Sequence, residues 1–208
     1  MPTLYYAPGA CSLASHIGLE ESGADYERKP IAFANNEQKS PEYLKINPRG
    51  RVPALATEAG VIVENVAILT YVAKTYAPAL MPEDPAGMAR ALSHMAWFSN
   101  AVHPAFTHIS RPERFATDPA IYPHLKETGR TNFHTFLKEI DGILDGKTWM
   151  LGDKFSVVDG YALVFCGWGK RIDLPMSELK NLTAFKDRML GRPAVHRVLE
   201  REQNVLLQ

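Results

Sequence analysis

The chain has 208 residues, the length of one large domain or two small ones. Its 23 basic and 23 acidic side chains give a formal net charge of zero. That balance excludes the clustered positive charge with which proteins bind nucleic acid or an anionic membrane surface. Two cysteines are too few for a disulfide framework, and the first residues lack the basic start and long apolar segment of a signal peptide. We therefore expect a cytoplasmic protein.

The first eighty residues alternate between strand and helix patterns. Short apolar or aromatic runs bounded by turn residues predict strands at 3–7, 26–31, 52–56 and 61–63. Apolar residues at helical spacing predict three helices, near 11–23, from 41 through 44 and over 65–76. In this interpretation Pro41 is the first residue of its helix and Asn65 caps the third one. The order β-α-β-α-β-β-α is typical of a small mixed sheet with helices on its faces.

The composition changes after residue 77. Three prolines fall within residues 77–85, which is typical of a linker. Beyond it, apolar residues recur at helical spacing through 88–106, 122–144, 156–168, 179–190 and 194–202. Ser156 and Asp159 have the spacing of a capping box, with Asp in place of the usual Glu or Gln. We therefore predict a first domain over residues 1–78 and an all-helical second domain over residues 86–208.

Cys11 is the most informative single residue. It follows a strand end and the turn residues 8–10, so we expect it in the first turn of a helix. There the unpaired N–H groups and the helix dipole favour a thiolate. The alternative is a small buried apolar residue, and position alone does not decide between the two. Cys166 lies within an apolar helix, where we expect it to pack in the core.

Two further positions could bind a ligand. Pro53 at the start of a strand belongs at an edge or a bend, and a bend would leave the backbone of Val52 free to pair with an extended peptide. The alternative is a plain edge proline. Glu64 and Asn65, where strand meets helix, could bind a ligand that carries both an ammonium and a carboxylate. The alternative there is simple capping by Asn65.

Other enzyme signatures are absent. The sequence has no phosphate-binding loop and no nucleophile elbow, and its seven histidines are scattered without zinc spacing. We expect no metal site. Read alone, His103 and Tyr6 are typical of core or surface positions.

Taken together, these residues resemble the cytosolic glutathione transferases, most closely the bacterial beta class. The resemblance spans essentially the whole chain and rests on four stretches in the family order: LYYAPGACS at 4–12, YLKINPRGRVPAL at 43–55, ENVAI at 64–68 and WMLGDKFSVVD at 149–159. It implies an α/β thioredoxin-like N-terminal domain, an all-α C-terminal helical bundle and a homodimer. It also implies glutathione as co-substrate.

The resemblance also assigns roles to residues. The Val52 backbone, before a cis Pro53, would pair with the cysteinyl part of glutathione, and Glu64 and Asn65 would hold its γ-glutamyl end. Cys11 would lie beside the glutathione sulfur and could form a mixed disulfide with it. The catalytic residues implied are Cys11, His103, Tyr6 and Ser12, and those implied for glutathione binding are Arg51, Val52, Pro53, Glu64 and Asn65.

Three positions depart from the family pattern. Asn65 stands where most of the superfamily has serine, and Ala96 stands where beta-class relatives tend to have asparagine. Residues 34–38 lack the lysine often found there, which leaves the glycine carboxylate of glutathione without an assigned partner.

The predicted function is the addition of the glutathione thiolate to small apolar electrophiles. One alternative is thiol–disulfide exchange with glutathione through Cys11. Another is a homologue that binds ligands without catalysis.

Overall fold

The N-terminal half is a four-stranded mixed sheet with three helices. The structure, a computed structural model, describes residues 1–208. The strands and helices are β1 (Thr3–Tyr6), α1 (Leu13–Ser22), β2 (Glu27–Pro30), α2 (Pro41–Ile46), β3 (Ala54–Thr57), β4 (Gly60–Val63) and α3 (Asn65–Tyr76). The sheet order is β2-β1-β3-β4, in which β1 runs parallel to β2 and antiparallel to β3. The predicted order of elements is confirmed.

The register of β1 decides what lies beside the turn that follows it. Leu4 and Tyr6 point into a small core beneath α1 and α3, while Tyr5 lies on the other face near Tyr43 of α2. Tyr5 is the Cα partner of Ala54 in the antiparallel β1–β3 pair. Because the two strands run in opposite directions, the turn after β1 comes next to the residues that precede β3. Residues 7–12 and residues 51–53, which are far apart in the sequence, therefore lie next to each other.

The C-terminal half is entirely helical. Its helices are α4 (Pro85–Trp97), α5 (His103–Ser110), α6 (Tyr122–Ile143), α7 (Val157–Arg171), α8 (Lys180–Leu190) and α9 (Pro193–Arg201). Every residue of α7 from Val157 to Gly169 is buried, as expected of a helix at the centre of a bundle. The main core also includes Leu13 and Ile17 of α1, so the two halves share apolar packing. No helix is both long enough and apolar enough to cross a membrane.

The segment predicted as one helix over 88–106 is interrupted. Residues Phe98–Val102 form a π-helical turn between α4 and α5. Pro104 follows directly after His103, and a proline has no N–H to continue the regular α-helical bonding. Single π-helical turns are frequent at functional sites.

The capping box predicted at the start of α7 is confirmed. The Asp159 carboxylate accepts from the N–H of Ser156 at 2.7 Å, from the Ser156 hydroxyl at 3.0 Å and from the N–H of Met150 at 2.8 Å. Burial nevertheless raises the pKa of Asp159 to about 6, against the effect of these donors. The carboxylate therefore joins the loop before α7 to the first turn of that helix.

Charged groups join α1 to α9 across the two halves. Glu20 accepts from Arg197 at 2.7 Å and from Arg201, and Glu21 makes a two-point contact with Arg192 at 2.7 and 2.8 Å. Burial raises the pKa of Glu20, but hydrogen bonds from Arg201, Arg197 and Tyr26 outweigh it and lower the pKa to about 2.

We expect Glu20→Gln to lower the free energy of unfolding at pH 7 by about 1–2 kcal/mol, since two partly exposed arginines lose their charged partner. The pKa of Glu20 is lower in the folded protein than its ordinary 4.5, so this contribution is present above pH 4.5 and is lost as the pH falls through about 2. Urea unfolding of both proteins between pH 7 and pH 3 measures it. The exposed Glu83→Gln is the control, and a difference that does not shrink on acidification contradicts the assignment.

Candidate active site

Cys11 lies in the turn between β1 and α1, before the helix begins at Leu13. The N–H of Leu13 donates to the carbonyl oxygen of Ala10 at 3.1 Å, and the N–H of Ala14 donates to the carbonyl oxygen of Cys11 at 3.2 Å. Each of these hydrogen bonds spans three residues, as in a turn. The predicted place in the first turn of the helix is wrong, because regular helical bonding starts only after Cys11. Its Sγ donates to the carbonyl oxygen of Val52 at 3.5 Å.

The pKa of the Cys11 thiol is higher than that of an ordinary cysteine. Burial, together with the nearby charge of Glu64, raises the pKa of the Cys11 thiol to about 12. The opposing effects of Arg51 and Asn65 are smaller. Of the two interpretations that the sequence left open for Cys11, these effects favour the buried thiol over the thiolate in the protein without ligand, where the thiol stays protonated and hydrogen-bonds to the Val52 carbonyl.

The segment before β3 presents a free backbone group beside this thiol. The Val52–Pro53 peptide bond is cis, as the resemblance implies. The Arg51 carbonyl is held by the Tyr43 hydroxyl at 2.6 Å and the Asn47 amide at 2.7 Å. The N–H of Val52 has no hydrogen-bond partner within the chain. A fixed segment with an unpaired N–H can receive the backbone of an extended ligand.

Glu64 lies between β4 and α3 in a rare backbone conformation. Its φ of 72° and ψ of 129° are unusual for a residue with a side chain, and strain of this kind persists mainly at functional sites. The Glu64 side chain is 58% exposed, and its carboxylate contacts Arg49, which is 63% exposed, at 3.3 Å. The group is thus oriented but still accessible to a ligand cation.

Asn65 does not cap α3, so that part of the prediction is wrong. The N-cap position is Glu64, and no side chain caps the helix. Instead the Asn65 amide donates to the carbonyl of Cys11 at 2.9 Å, and its oxygen accepts from the Ser15 hydroxyl at 2.7 Å. The side chain therefore ties α3 to the cysteine turn, and the first N–H groups of α3 stay available to an anion.

His103 approaches the same place from the C-terminal half. Burial and the positive charges of Arg114 and Arg51 lower its pKa to about 4, so the imidazole is neutral at pH 7. Its ring meets the ring of Trp168 edge-to-face at 4.9 Å. Arg114 is close enough to Cys11 for the two to affect one another electrostatically.

Tyr6 and Ser12 are placed differently from Cys11 and His103. The Tyr6 ring packs against His16 at 4.7 Å in the buried core. Burial and Glu202 raise the pKa of its hydroxyl. The Ser12 hydroxyl is fully buried, accepts from the N–H of Ala7 at 3.0 Å and donates to the Ala7 carbonyl at 3.2 Å. We therefore expect Ser12 to hold the turn in shape.

Comparison with known proteins identifies the family. Residues 2–74 match the family model for the glutathione S-transferase N-terminal domain, and residues 97–193 match the model for the glutathione S-transferase C-terminal domain. The chain belongs to the glutathione S-transferase family. The transferase is 34% identical over 201 residues to glutathione S-transferase GST-4.5 of Xanthomonas campestris pv. campestris, a match that covers 96% of this chain and 98% of that protein.

Solved structures give the same result. A glutathione transferase homologue from Sulfitobacter, solved with bound glutathione, superimposes with a TM-score of 0.92 at 31% identity and covers 97% of this chain and 98% of its own. The bacterial beta-class glutathione S-transferase of Sphingomonas chungbukensis superimposes with a TM-score of 0.84 at 33% identity. The match covers 96% of this chain and 98% of that chain. The predicted beta-class-like membership and the predicted fold class are confirmed.

The transferase contains a group of residues that the sequence did not reveal. The C-terminal half holds the backbone of Gly9, two residues before Cys11, from both sides. The Glu202 carboxylate accepts from the Gly9 N–H at 2.9 Å, and the Gly9 carbonyl accepts from Trp168 and Arg171, each at 3.1 Å. We call Trp168, Arg171 and Glu202 the Gly9 clamp.

Trp168 and Glu202 of the clamp are buried and Arg171 is exposed, and the contacts of the clamp extend to α1. The second oxygen of Glu202 contacts Nδ1 of His16 at 2.7 Å, and both side chains have zero exposure. Gly9 itself has a positive φ of 68°, and a side chain there would collide with the Arg171 guanidinium. These partners lie more than 150 positions away in the chain, so no local spacing could have predicted them.

Lys39 is a second residue that the sequence did not single out. Residues 34–38 lack a lysine, but Lys39 follows them directly. Its side chain lies over Gly50: a Cβ atom added to Gly50 would be 3.1 Å from the Nζ of Lys39. Gly50 is two residues before Val52. An ammonium group is therefore present beside the free backbone segment.

Proposed function

We propose that the transferase joins the thiol of glutathione to small apolar electrophiles. The observation that carries this proposal is the unpaired N–H of Val52, which lies beside Cys11 on a segment fixed by Tyr43 and Asn47. An extended peptide can hydrogen-bond to that backbone as an added strand does. The cysteinyl residue of glutathione then lies next to Cys11 and His103.

The two ends of glutathione have partners on either side. The γ-glutamyl ammonium binds the exposed carboxylate of Glu64, and the γ-glutamyl carboxylate binds the free N–H groups where α3 begins at Asn65. The Arg51 guanidinium adjoins Val52 in the chain, and the Lys39 ammonium lies over Gly50, two residues before Val52. We assign them to the glycine carboxylate.

Positive charge at the sulfur lowers the cost of ionising the bound thiol. Arg51 and Arg114 act electrostatically on both Cys11 and His103. A neutral His103 carries one ring N–H, which it can donate to a thiolate. We therefore propose Cys11 and His103 as the groups at the sulfur, with Tyr6 and Ser12 in supporting positions.

Glu64→Ala tests the binding mode. We expect it to weaken glutathione binding by about 1.5–3 kcal/mol, roughly ten- to a hundredfold in Kd, because a charge-assisted contact to the ammonium is lost. Calorimetry with glutathione measures this, and Glu58→Ala, on the exposed β3–β4 turn, is the matched control. Unchanged affinity in the folded Glu64 variant would falsify this placement. A conjugation assay with an aryl halide tests the reaction itself.

Thiol–disulfide exchange is a second candidate function, favoured by the contact of Cys11 with the Val52 carbonyl. The Cys11 thiolate attacks the glutathione sulfur of a mixed disulfide, forming a Cys11–glutathione disulfide and releasing the other half as a thiol after it takes up a proton. A second glutathione thiolate attacks this disulfide, which restores Cys11 and yields oxidised glutathione. A homologue that only binds ligands would be retained on glutathione resin but show neither reaction.

The assembly and location are also proposals. We propose that the domains span residues 1–78 and 86–208, and that the protein acts in the cytoplasm, which its two free cysteines support. We also propose a homodimer, since a chain of zero net charge has little long-range repulsion to oppose association. Light scattering at micromolar concentration is expected to give about twice the chain mass of 23.2 kDa. A single-chain mass at every concentration contradicts it.

A further inference from the structure

Two arginines follow α5, the helix that begins with His103, and no part of glutathione is assigned to them. Arg111 comes directly after α5, and Arg114 is the last residue of the short helical turn Pro112–Arg114. Neither guanidinium has a carboxylate oxygen within 4.0 Å. Two unpaired cations therefore lie at one end of the helix whose other end carries His103.

Backbone contacts hold these arginines in a fixed place relative to His103. The Thr107 hydroxyl donates to the His103 carbonyl at 2.9 Å, and the N–H of Arg111 donates to the Thr107 carbonyl at 2.8 Å. The N–H of Arg114 then donates to the Arg111 carbonyl at 3.1 Å. Pro112, between the two arginines, is buried. Both guanidinium groups are thus carried by an ordered segment.

Arg114 extends the positive charge of the helical half to the cysteine turn. Partial burial, followed by the positive charges of Arg51 and Arg111, lowers the pKa of Arg114, and Glu113 and Cys11 oppose this effect. These groups are therefore close enough to act on one another. Arg51 is assigned above to the glycine carboxylate of glutathione. The single carboxylate of the exposed Glu113 does not balance the two remaining arginines.

Exposed apolar side chains adjoin Arg114. Phe115 and Ile121, which are 45% and 44% exposed, line a surface cavity of about 400 Å³ together with Arg114. Glu113 and Asp118 also line it, but the Asp118 carboxylate already accepts a backbone N–H at 2.9 Å. Large apolar side chains are seldom left exposed together without a binding role. Next to unpaired cations, they suit an aromatic molecule with one negative charge.

Given the conjugation proposed above, we propose that its electrophile is an aromatic molecule with one carboxylate, and that Arg114, with Arg111, selects it by that charge. The reaction itself needs no such charge when the substrate is an aryl halide. The glutathione sulfur bonds to the ring carbon, the halide leaves that carbon with its electron pair, and the thiol proton passes to solvent. A preference for the anionic substrate therefore reports the arginines.

Two aryl halides that differ in charge test this selection. 4-Chloro-3,5-dinitrobenzoate carries a carboxylate opposite the chlorine, and 4-chloro-3,5-dinitrobenzamide carries an uncharged group of similar shape there. Each kcat/KM is divided by the rate constant of the uncatalysed reaction with glutathione, which removes the difference in intrinsic reactivity. We expect the benzoate to be favoured about fivefold, the size of a partly exposed charge contact, and the preference to lie in KM.

Variants connect the preference to Arg114. Arg114→Gln is expected to remove it, and since any effect on the glutathione thiol changes both reactions equally, the ratio isolates the substrate charge. Arg114→Lys keeps a positive charge and is expected to retain part of the preference. Glu113→Gln removes the opposing carboxylate and is expected to increase it. Arg90→Gln, at an exposed position on α4, is the matched control, and melting temperatures verify folding.

Three results overturn the proposal. Equal normalised kcat/KM for the two substrates excludes selection by charge and leaves the proposed conjugation standing. An equal loss with both substrates in Arg114→Gln, with the preference intact, assigns this arginine to the thiolate instead. Conjugation of neither substrate overturns the proposed function and the charge selection together, so the two failures are distinguishable.

Discussion

Replacing Cys11 with alanine is expected to abolish glutathione-dependent disulfide exchange and to leave part of the conjugation activity. Exchange requires a covalent bond to the Cys11 sulfur, whereas the nucleophile in conjugation is the glutathione thiol, which we propose is held by Val52 and Glu64. Mass spectrometry after treatment with oxidised glutathione is expected to find one adduct per chain in the unaltered protein and none in Cys11→Ala.

Cys166→Ala is the matched control, because Cys166 is 1% exposed and burial raises the pKa of its thiol to about 12. It is expected to retain the adduct and both activities. Full disulfide exchange by Cys11→Ala would show that Cys11 only packs, and the exchange proposal would then fail.

The pH dependence of Cys11 reactivity follows from its pKa of about 12. In the absence of glutathione, the rate of alkylation by iodoacetamide is expected to keep rising up to pH 10, since only the thiolate reacts. An ordinary cysteine levels off near its pKa of ~8.5. An inflection below that value would contradict the protonated thiol that donates to Val52.

Glu202→Leu is expected to be the most destabilising single change in the Gly9 clamp. It leaves His16 and the Gly9 N–H buried without a partner, and each buried polar group left without a hydrogen bond costs about 1–3 kcal/mol. Exchange activity is expected to fall as well, since the turn that carries Cys11 loses a fixed point. Urea unfolding and steady-state kinetics measure the two effects.

The conservative change Glu202→Gln separates positioning from charge. A glutamine oxygen still accepts from the Gly9 N–H, and its amide can donate to Nδ1 of His16 when the imidazole proton is on Nε2. We expect it to recover most of the activity. Glu200→Leu, at an exposed position in the last turn of α9, two residues before Glu202, is expected to behave like the unaltered protein. An unfolding midpoint for Glu202→Leu equal to that of Glu200→Leu contradicts the role of the clamp.

Much of the fold was predictable because local signals agreed with the tertiary structure. The capping box of Ser156 and Asp159 and the proline that opens α2 each satisfy backbone groups within a few residues, so spacing alone identifies them. The π-helical turn before His103 could not be predicted in this way, because its residues carry an ordinary helical pattern.

The residues proposed for the site stay a prediction, and their surroundings could not be predicted from local patterns. The helix terminus that favours a Cys11 thiolate is visible in the sequence, whereas burial and the approach of Glu64 are not. Asn65 looked like a cap because its position is right for one, but Ser15 and the Cys11 carbonyl bind its side chain instead. Both differences arise from contacts between distant segments.

The Gly9 clamp has a consequence for how the protein is made. Gly9 and Glu202 are separated by 193 positions, so a ribosome has produced the whole sheet and Cys11 long before it adds the residue that fixes the turn. At ~5–20 residues per second the interval is on the order of 10–40 s. During that time the nascent N-terminal half can pair its strands, but its cysteine turn lacks its final support. The support of the Cys11 turn is thus completed only after the helical half has been synthesised.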